Sequence, residues 1–173
     1  MTAEEVVVNL IKLNHGQLTG RTRLQKEAYL LDRCGGKFGL RFTYHHYGPY
    51  SFELAEGWED AQAAERIDIV ERPGRYDVPY SVFTVRGPVG APDRLGDLSA
   101  IDARERLQKM ASVSDIVLEL AASIIYLEEE GYAEQTIKEL KTRKPLKATD
   151  QLVAKASSLL VSLGFEGNRS LQG

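Results

Sequence analysis

An aromatic segment that runs into the start of a helix decides the fold, and it reads Phe42-Thr43-Tyr44-His45-His46-Tyr47-Gly48-Pro49-Tyr50-Ser51-Phe52-Glu53-Leu54. Its aromatic and β-branched residues favour an extended backbone. Pro49 fixes its own φ and keeps Gly48 out of the helical region, so we predict a tight turn at Gly48-Pro49-Tyr50-Ser51. Ser51 is then the N-cap of a third helix.

Two helices are predicted before this segment. Thr2 caps the first, and Glu5 stands three residues later, which makes a capping box. Thr22 opens the second, with Gln25 in the corresponding position, and Gly35-Gly36 ends it. Apolar residues recur at helical spacing in both stretches, so each helix presents one face to a core.

A β-hairpin is predicted after the third helix, which has Leu54 and Trp58 on its buried face. Residues 66–72 alternate between polar and apolar, and residues 80–86 are rich in β-branched and aromatic side chains. Three helices followed by a hairpin is the element order of a winged helix-turn-helix. We therefore expect a winged-helix-like part over residues 1–88, a pattern match that does not by itself indicate DNA binding.

The rest of the chain is predicted to be helical. Glycine and proline cluster in residues 89–98, which we interpret as a loop. Residues 99–165 follow as a helical part of the same globular unit, and residues 166–173 form a tail. The helices of residues 99–165 are capped by Ser99, Ser114 and Thr149. The expected fold class is α+β and predominantly helical.

Composition limits the classes of function. The chain has 173 residues and a formal net charge of −3, which excludes a strongly basic nucleic-acid coat. Its 1 cysteine permits no internal disulfide, as is usual in a reducing compartment. No apolar run approaches the roughly 20 residues of a membrane span, and the acidic start at Met1–Glu5 is unlike a secretory signal. We expect a cytoplasmic protein that does not bind membranes.

The sequence offers little support for catalysis or metal binding. No common catalytic or nucleotide-binding motif is present. His45 and His46 are adjacent on a predicted strand, so their rings point to opposite faces and do not share one ion. Cys34 lies at the C-terminal end of a helix, where the dipole disfavours a thiolate. The carboxylates are expected at solvated helix positions. We predict that the protein is not an enzyme and that it binds no metal and no cofactor.

The aromatic segment is the best candidate for a partner-binding surface. Core packing is expected to take most of its rings, because aromatic side chains mainly supply buried area. The remainder resemble interface anchors, which are enriched in tyrosine. The partner-binding candidates are Tyr44, Tyr47, Tyr50, Glu53 and Glu56. A non-catalytic protein-interaction module is the leading function, and its partner is a protein with a basic surface or a second copy of this chain.

A DNA-binding regulator is the alternative function. Its candidate residues lie on the second helix and on the hairpin, and they are Arg21, Arg23, Lys26, Arg72 and Arg75. In a winged helix the third helix would enter the major groove. That helix carries several carboxylates and no lysine or arginine, so phosphate repulsion opposes this alternative.

Two motifs carry a resemblance to known families. They are Leu24-Gln25-Lys26-x-x-Tyr29-Leu30-Leu31 and Phe42-x-Tyr44-x-x-Tyr47-Gly48-Pro49-Tyr50-Ser51-x-x-Leu54. Together they resemble the YwgA-like proteins and the related Panacea-type (SocA-like antitoxin) domains over about residues 20–70. Glu27 departs from the family pattern, which commonly has an apolar residue there. The Panacea resemblance implies a domain that binds and neutralises a toxin protein.

Overall fold

The computed structural model describes residues 1–90 and 92–165, and its α+β, predominantly helical class confirms the expectation. The helices are α1 (Ala3–Leu13), α2 (Arg21–Leu31), α3 (Phe52–Ala63), α4 (Ala100–Ala111), α5 (Asp115–Glu129), α6 (Thr136–Arg143) and α7 (Asp150–Ser162). The strands are β1 (Gln17–Thr19), β2 (Thr43–His45), β3 (Gly48–Tyr50), β4 (Ile67–Arg72), β5 (Tyr80–Val85), β6 (Arg94–Leu95) and β7 (Leu98–Ser99).

Five of the predicted caps are confirmed by hydrogen bonds to the first turn of their helices. They are Thr2, Ser51, Ser99, Ser114 and Thr149. The capping box predicted for α2 is wrong. That helix begins at Arg21 after Gly20, with no side-chain cap, because the Gln25 amide binds the backbone of Ser51 instead.

A three-stranded antiparallel sheet has the order β1-β5-β4. The predicted hairpin is confirmed as β4 and β5, and Phe83 at its centre lies opposite Ile69 on one side and Leu18 on the other. The strand β1 was not predicted, because three residues are too few to show an alternating pattern and β1 is an edge strand that exists only by pairing with β5. The winged-helix interpretation of residues 1–88 stays a prediction.

The turn predicted at Gly48-Pro49-Tyr50-Ser51 is wrong. Residues 48–50 form β3, which pairs with β2. The chain reverses direction before β3, at His46-Tyr47. Pro49 lies opposite Tyr44 in this two-stranded ladder, and edge strands tolerate a residue without an N–H. We call β2, β3 and their connection the aromatic hairpin.

One contiguous hydrophobic core includes residues from both predicted parts of the chain. The helix α5 packs against α2, α6 and α7, with Leu118, Leu120 and Ile124 fully buried. The predicted loop at 89–98 contains the β6 strand and part of β7, and Leu95 is buried in the core, so apolar burial orders that segment. The predicted tail at 166–173 lies outside the described residues.

Within the described part of the chain, no helix has both the length and the apolar character needed to cross a bilayer.

Candidate functional site

The aromatic hairpin is held against α2 by two adjacent polar side chains. Gln25 donates to the carbonyl of Ser51 and accepts from its N–H, both at 2.9 Å. The Lys26 ammonium donates to the carbonyl of Pro49 at 2.7 Å. All these groups are buried, so each bond is made where an unpaired polar group would be costly. These contacts fix the position of the strand that leads into α3.

A second set of lysines holds the other side of the hairpin through a buried carboxylate. Glu119 on α5 accepts from Lys144 at 2.6 Å and from Lys147 at 2.8 Å. Lys144 also donates to the carbonyl of His46 at 3.0 Å, and the Lys147 ammonium lies 4.6 Å from the centre of the Tyr47 ring. The hairpin is therefore fastened from α2 and from the connection between α6 and α7.

Lys26 and this cluster form a buried group with excess positive charge. Lys26 is 1% exposed, and burial lowers its pKa to about 7. Glu119 acts in the opposite direction, whereas Lys144 and Lys147 lower the pKa further. Lys26 therefore lies near a carboxylate that already binds two other lysines, in a largely buried region where the charged form of an amine is disfavoured.

A cavity of about 380 Å³ opens between the start of α2 and the aromatic hairpin. Its basic lining residues are Arg21, Lys26, His45 and His46. Its aromatic walls come from Tyr47, Tyr50 and Phe52. The volume lies within the range of about 300–1,000 Å³ in which proteins bind small molecules.

The exposed side of α3 carries a different surface. Phe52, Glu56, Glu59 and Asp60 are exposed and fall on one side of the helix by their spacing. Phe52 is 60% exposed, and none of the three carboxylates makes an ion pair with any residue that the structure describes. We call these four residues the acidic face.

The three tyrosines predicted as partner-binding residues lie in different surroundings. Tyr47 is 49% exposed and lies beside Lys147. Tyr50 is half-buried, and its ring centre lies 5.1 Å from that of Phe52, next to the acidic face. Tyr44 is half-buried, with its ring 5.5 Å from that of Tyr126 on α5. Tyr47 and Tyr50 therefore line the same cavity, whereas Tyr44 lies apart from it against α5.

The two predicted glutamates also differ from each other. Glu53 binds Arg41 through both its carboxylate oxygens, at 2.9 Å to the backbone N–H and 3.0 Å to the guanidinium. These hydrogen bonds lower the pKa of Glu53. Glu56 belongs to the acidic face and makes no ion pair with a described residue.

The basic residues named for DNA binding are largely engaged within the protein. Arg23 binds Asp115 at 2.7 Å and the carbonyls of Met110 and Val113, and so joins α2 to the α4–α5 connection. Lys26 is buried as described above, and Arg21 pairs with Glu71 at 2.9 Å. The remaining two, Arg72 and Arg75, are exposed near the tip of the β4–β5 hairpin and make no ion pair with a described residue.

The histidines and the cysteine show no metal geometry. His45 lies against Tyr50, whereas His46 lies against Tyr47, so the two imidazoles have different neighbours. In the described ranges, no group of three or more potential ligands could hold an ion. Burial raises the pKa of the Cys34 thiol, which opposes a nucleophilic role.

The expectation that carboxylates sit at solvated positions is wrong for Glu27 and Glu119, which are both buried. Sequence reasoning also missed the burial of Lys26 and Lys144. One signal was available, because Glu119 is the lone charged residue in the apolar run from Ile116 to Leu127. Lys144 gave no such signal, since it lies in a basic segment typical of a solvated face.

Comparison with known proteins yields one similarity to a curated protein and no match to a family model. The chain is 28% identical over 136 residues to the uncharacterized protein YwgA of Bacillus subtilis (strain 168). The matched region covers 74% of this chain and 76% of YwgA, so it extends well beyond the two motifs that suggested the resemblance. The resemblance to the YwgA-like proteins is confirmed as a sequence similarity that includes most of the chain.

Proposed function

We propose that this chain is a cytoplasmic, non-catalytic protein-interaction module that docks a basic protein surface onto the acidic face. The observation that carries this proposal is an exposed phenylalanine beside three carboxylates that no described residue neutralises. Aromatic residues are enriched in specific interfaces, and complementary charge around them steers and orients the partner. The Panacea-type resemblance suggests a toxin as the partner, which would make the module antitoxin-like.

Reversing the charge of the acidic face tests the proposal. The doubly substituted Glu56→Lys, Glu59→Lys protein is used as bait in its host lysate beside the wild type. A matched control, Glu130→Lys with Glu134→Lys, makes the same charge change at exposed positions outside α3. We expect at least one protein with a basic surface to be captured by wild type and control and lost with the α3 variant.

The captured protein is then purified, and its affinity is measured against salt concentration. We expect the affinity for wild type to fall as salt rises, because exposed charges are screened. A partner set that is identical for all three baits would overturn the proposal. If the wild type itself dimerises and the α3 variant is monomeric in sedimentation, the partner is a second copy of this chain.

DNA binding is the second candidate, favoured by the exposed and unneutralised Arg72 and Arg75 near the β4–β5 tip. Fluorescence anisotropy with duplex DNA separates the two functions. Binding that weakens steeply with salt and is lost on Arg72→Glu with Arg75→Glu would favour the regulator. Because α3 is acidic, we expect no tight binding at physiological salt.

A further inference from the structure

The charged side chains that line the cavity beside the aromatic hairpin are of one sign. They are Arg21 and Lys26, and none of the described lining residues is an aspartate or glutamate. Clefts lined by one sign of charge concentrate ions of the opposite sign. Glu71 pairs with Arg21, but both side chains are about half exposed, so this ion pair is weak and can be exchanged for a ligand.

Lys26 gives the cavity a buried donor that the protein only partly satisfies. An ammonium has three N–H donors, and the carbonyl of Pro49 is its one hydrogen-bond acceptor among the described residues. The surrounding cluster contains three lysines and one glutamate. A bound anion would supply the negative charge that this cluster lacks.

The start of α2 adds to the same field. Arg21 and Thr22, its first two residues, line the cavity. Gly20 provides no side-chain cap, and the first turn contains no acidic residue, so nothing within that turn offsets the positive end of the helix dipole. Helix N-termini of this kind favour phosphate and carboxylate groups.

The aromatic wall of the cavity is suited to a planar ring. Tyr47, Tyr50 and Phe52 line it, and the last two are edge to face at 5.1 Å between ring centres. Aromatic side chains bind heterocycles by stacking with little dependence on their identity. The cavity thus places ring-binding groups beside anion-binding groups.

We propose that this cavity binds a small molecule that carries a phosphate on a planar ring system, the chemical class of the nucleoside monophosphates. Arg21 and Lys26 contact the phosphate, and the aromatic wall contacts the ring. The inference goes beyond the protein-interaction function, because the two sites share Phe52 but Glu56 and Glu59 do not line the cavity.

Calorimetry on the full chain tests the proposal with three probes: adenosine 5′-monophosphate, adenosine and inorganic phosphate. We expect saturable binding of the monophosphate, with an affinity about tenfold or more above that of either fragment. Arg21→Glu and Lys26→Met should each weaken it by about tenfold or more, because both remove a charged donor. Lys138→Glu makes the same charge change as Arg21→Glu at an exposed position outside the cavity and should leave the affinity unchanged.

Proton uptake gives a second readout that a merely structural role of Lys26 would not produce. The charged and titratable groups near Lys26 are Glu119, Lys144 and Lys147 in the cluster, and Arg21, His45, His46, Tyr47 and Tyr50 in the cavity. At about pH 8 most Lys26 side chains are neutral, and a bound anion favours the ammonium form. Titrations in two buffers of different ionisation enthalpy should show proton uptake with wild type and none with Lys26→Met.

Three results would overturn the proposal: no saturable binding at millimolar monophosphate, equal affinity for adenosine, or equal loss on Lys138→Glu. Circular dichroism checks that each variant is folded. If Lys26→Met fails to fold, Arg21→Glu decides, since the Arg21 side chain is exposed and its removal leaves the core intact.

Discussion

Lys26 and Glu27 are adjacent, buried and of opposite charge, yet they serve different parts of the molecule. Lys26 binds the aromatic hairpin, whereas Glu27 accepts from Asn14 at the end of α1 at 2.9 Å and from Arg23 at 3.4 Å. Successive residues of a helix point about 100° apart, so neighbours reach separate elements. The helix α2 therefore carries charged residues inside the protein because each has a specific partner.

The pH dependence of stability should report on Glu27. Burial raises its pKa to about 7 from an ordinary value of 4.5, with Arg23 opposing the change. The folded protein then binds this proton more tightly than the unfolded chain does. Its contribution to the free energy of unfolding is present below about pH 4.5 and is lost as the pH rises to about 7. The loss amounts to about 3 kcal/mol at most.

Replacing Glu27 with glutamine should remove this dependence. We expect the difference in free energy of unfolding between Glu27→Gln and wild type to grow from pH 5 to pH 7, in favour of the variant. Urea denaturation at several pH values measures it, and Glu134→Gln at an exposed position is the control. Parallel pH profiles for Glu27→Gln and wild type would contradict a raised pKa.

At the scale of elements, the aromatic hairpin approaches α5 so closely that only glycine fits at the contact. Gly48 has a φ of +86°, and a Cβ at this position would lie 2.5 Å from the Ser123 Oγ. A larger residue at position 48 would thus lower the stability of the folded protein in two ways. Its backbone would be left-handed, and its Cβ would overlap the Ser123 side chain. The first costs roughly 1–2 kcal/mol and the second about 1–3 kcal/mol.

Gly48→Ala should therefore destabilise the protein by about 2–5 kcal/mol in urea denaturation. Gly39→Ala is a matched control, because Gly39 has a φ of +76° and no atom near the place of a Cβ. Gly39→Ala should lose only the stability that a left-handed backbone costs. Ser123→Ala combined with Gly48→Ala should recover the steric part, and additive losses in the double variant would refute the close approach.

At the scale of the whole molecule, the core is continuous from the three-stranded sheet to α7. Trp58 on α3 is buried, and its ring centre lies 5.8 Å from that of Phe83 in β5. The helix α5 links this region to α6 and α7 through its contacts with α2. Both predicted parts of the chain contribute to one hydrophobic cluster, which favours a single cooperative unfolding transition.

Two spectroscopic probes can test this cooperativity. Trp58 is the 1 tryptophan in the chain, so its fluorescence reports on the first part, whereas circular dichroism reports mainly on the helices throughout. We expect the two urea transitions to coincide in midpoint and steepness. A fluorescence transition at clearly lower urea than the dichroism transition would show that the first part unfolds separately.

Local chemistry was sufficient to predict the helices and the starts of α1, α3, α4, α5 and α7. Caps such as Ser51 and Ser114 bind N–H groups within their own first turn, so three or four residues contain all the information. The β4–β5 hairpin was likewise predictable, because its alternation and its punctuating Pro73-Gly74 are contiguous in the chain. The sequence by itself thus determined the fold class, the starts of most helices, the β4–β5 hairpin and the resemblance to the YwgA-like proteins.

The candidate site depends on contacts between residues distant in the chain. Gln25 was predicted to cap α2 but binds Ser51. Lys144 was expected in solvent but binds Glu119 and the His46 carbonyl. A buried polar side chain takes the partner that packing brings to it, and no local pattern records which one that is. Tertiary structure alone therefore decided the place of the hairpin turn, the burial of Lys26 and the separation of a basic cavity from an acidic face.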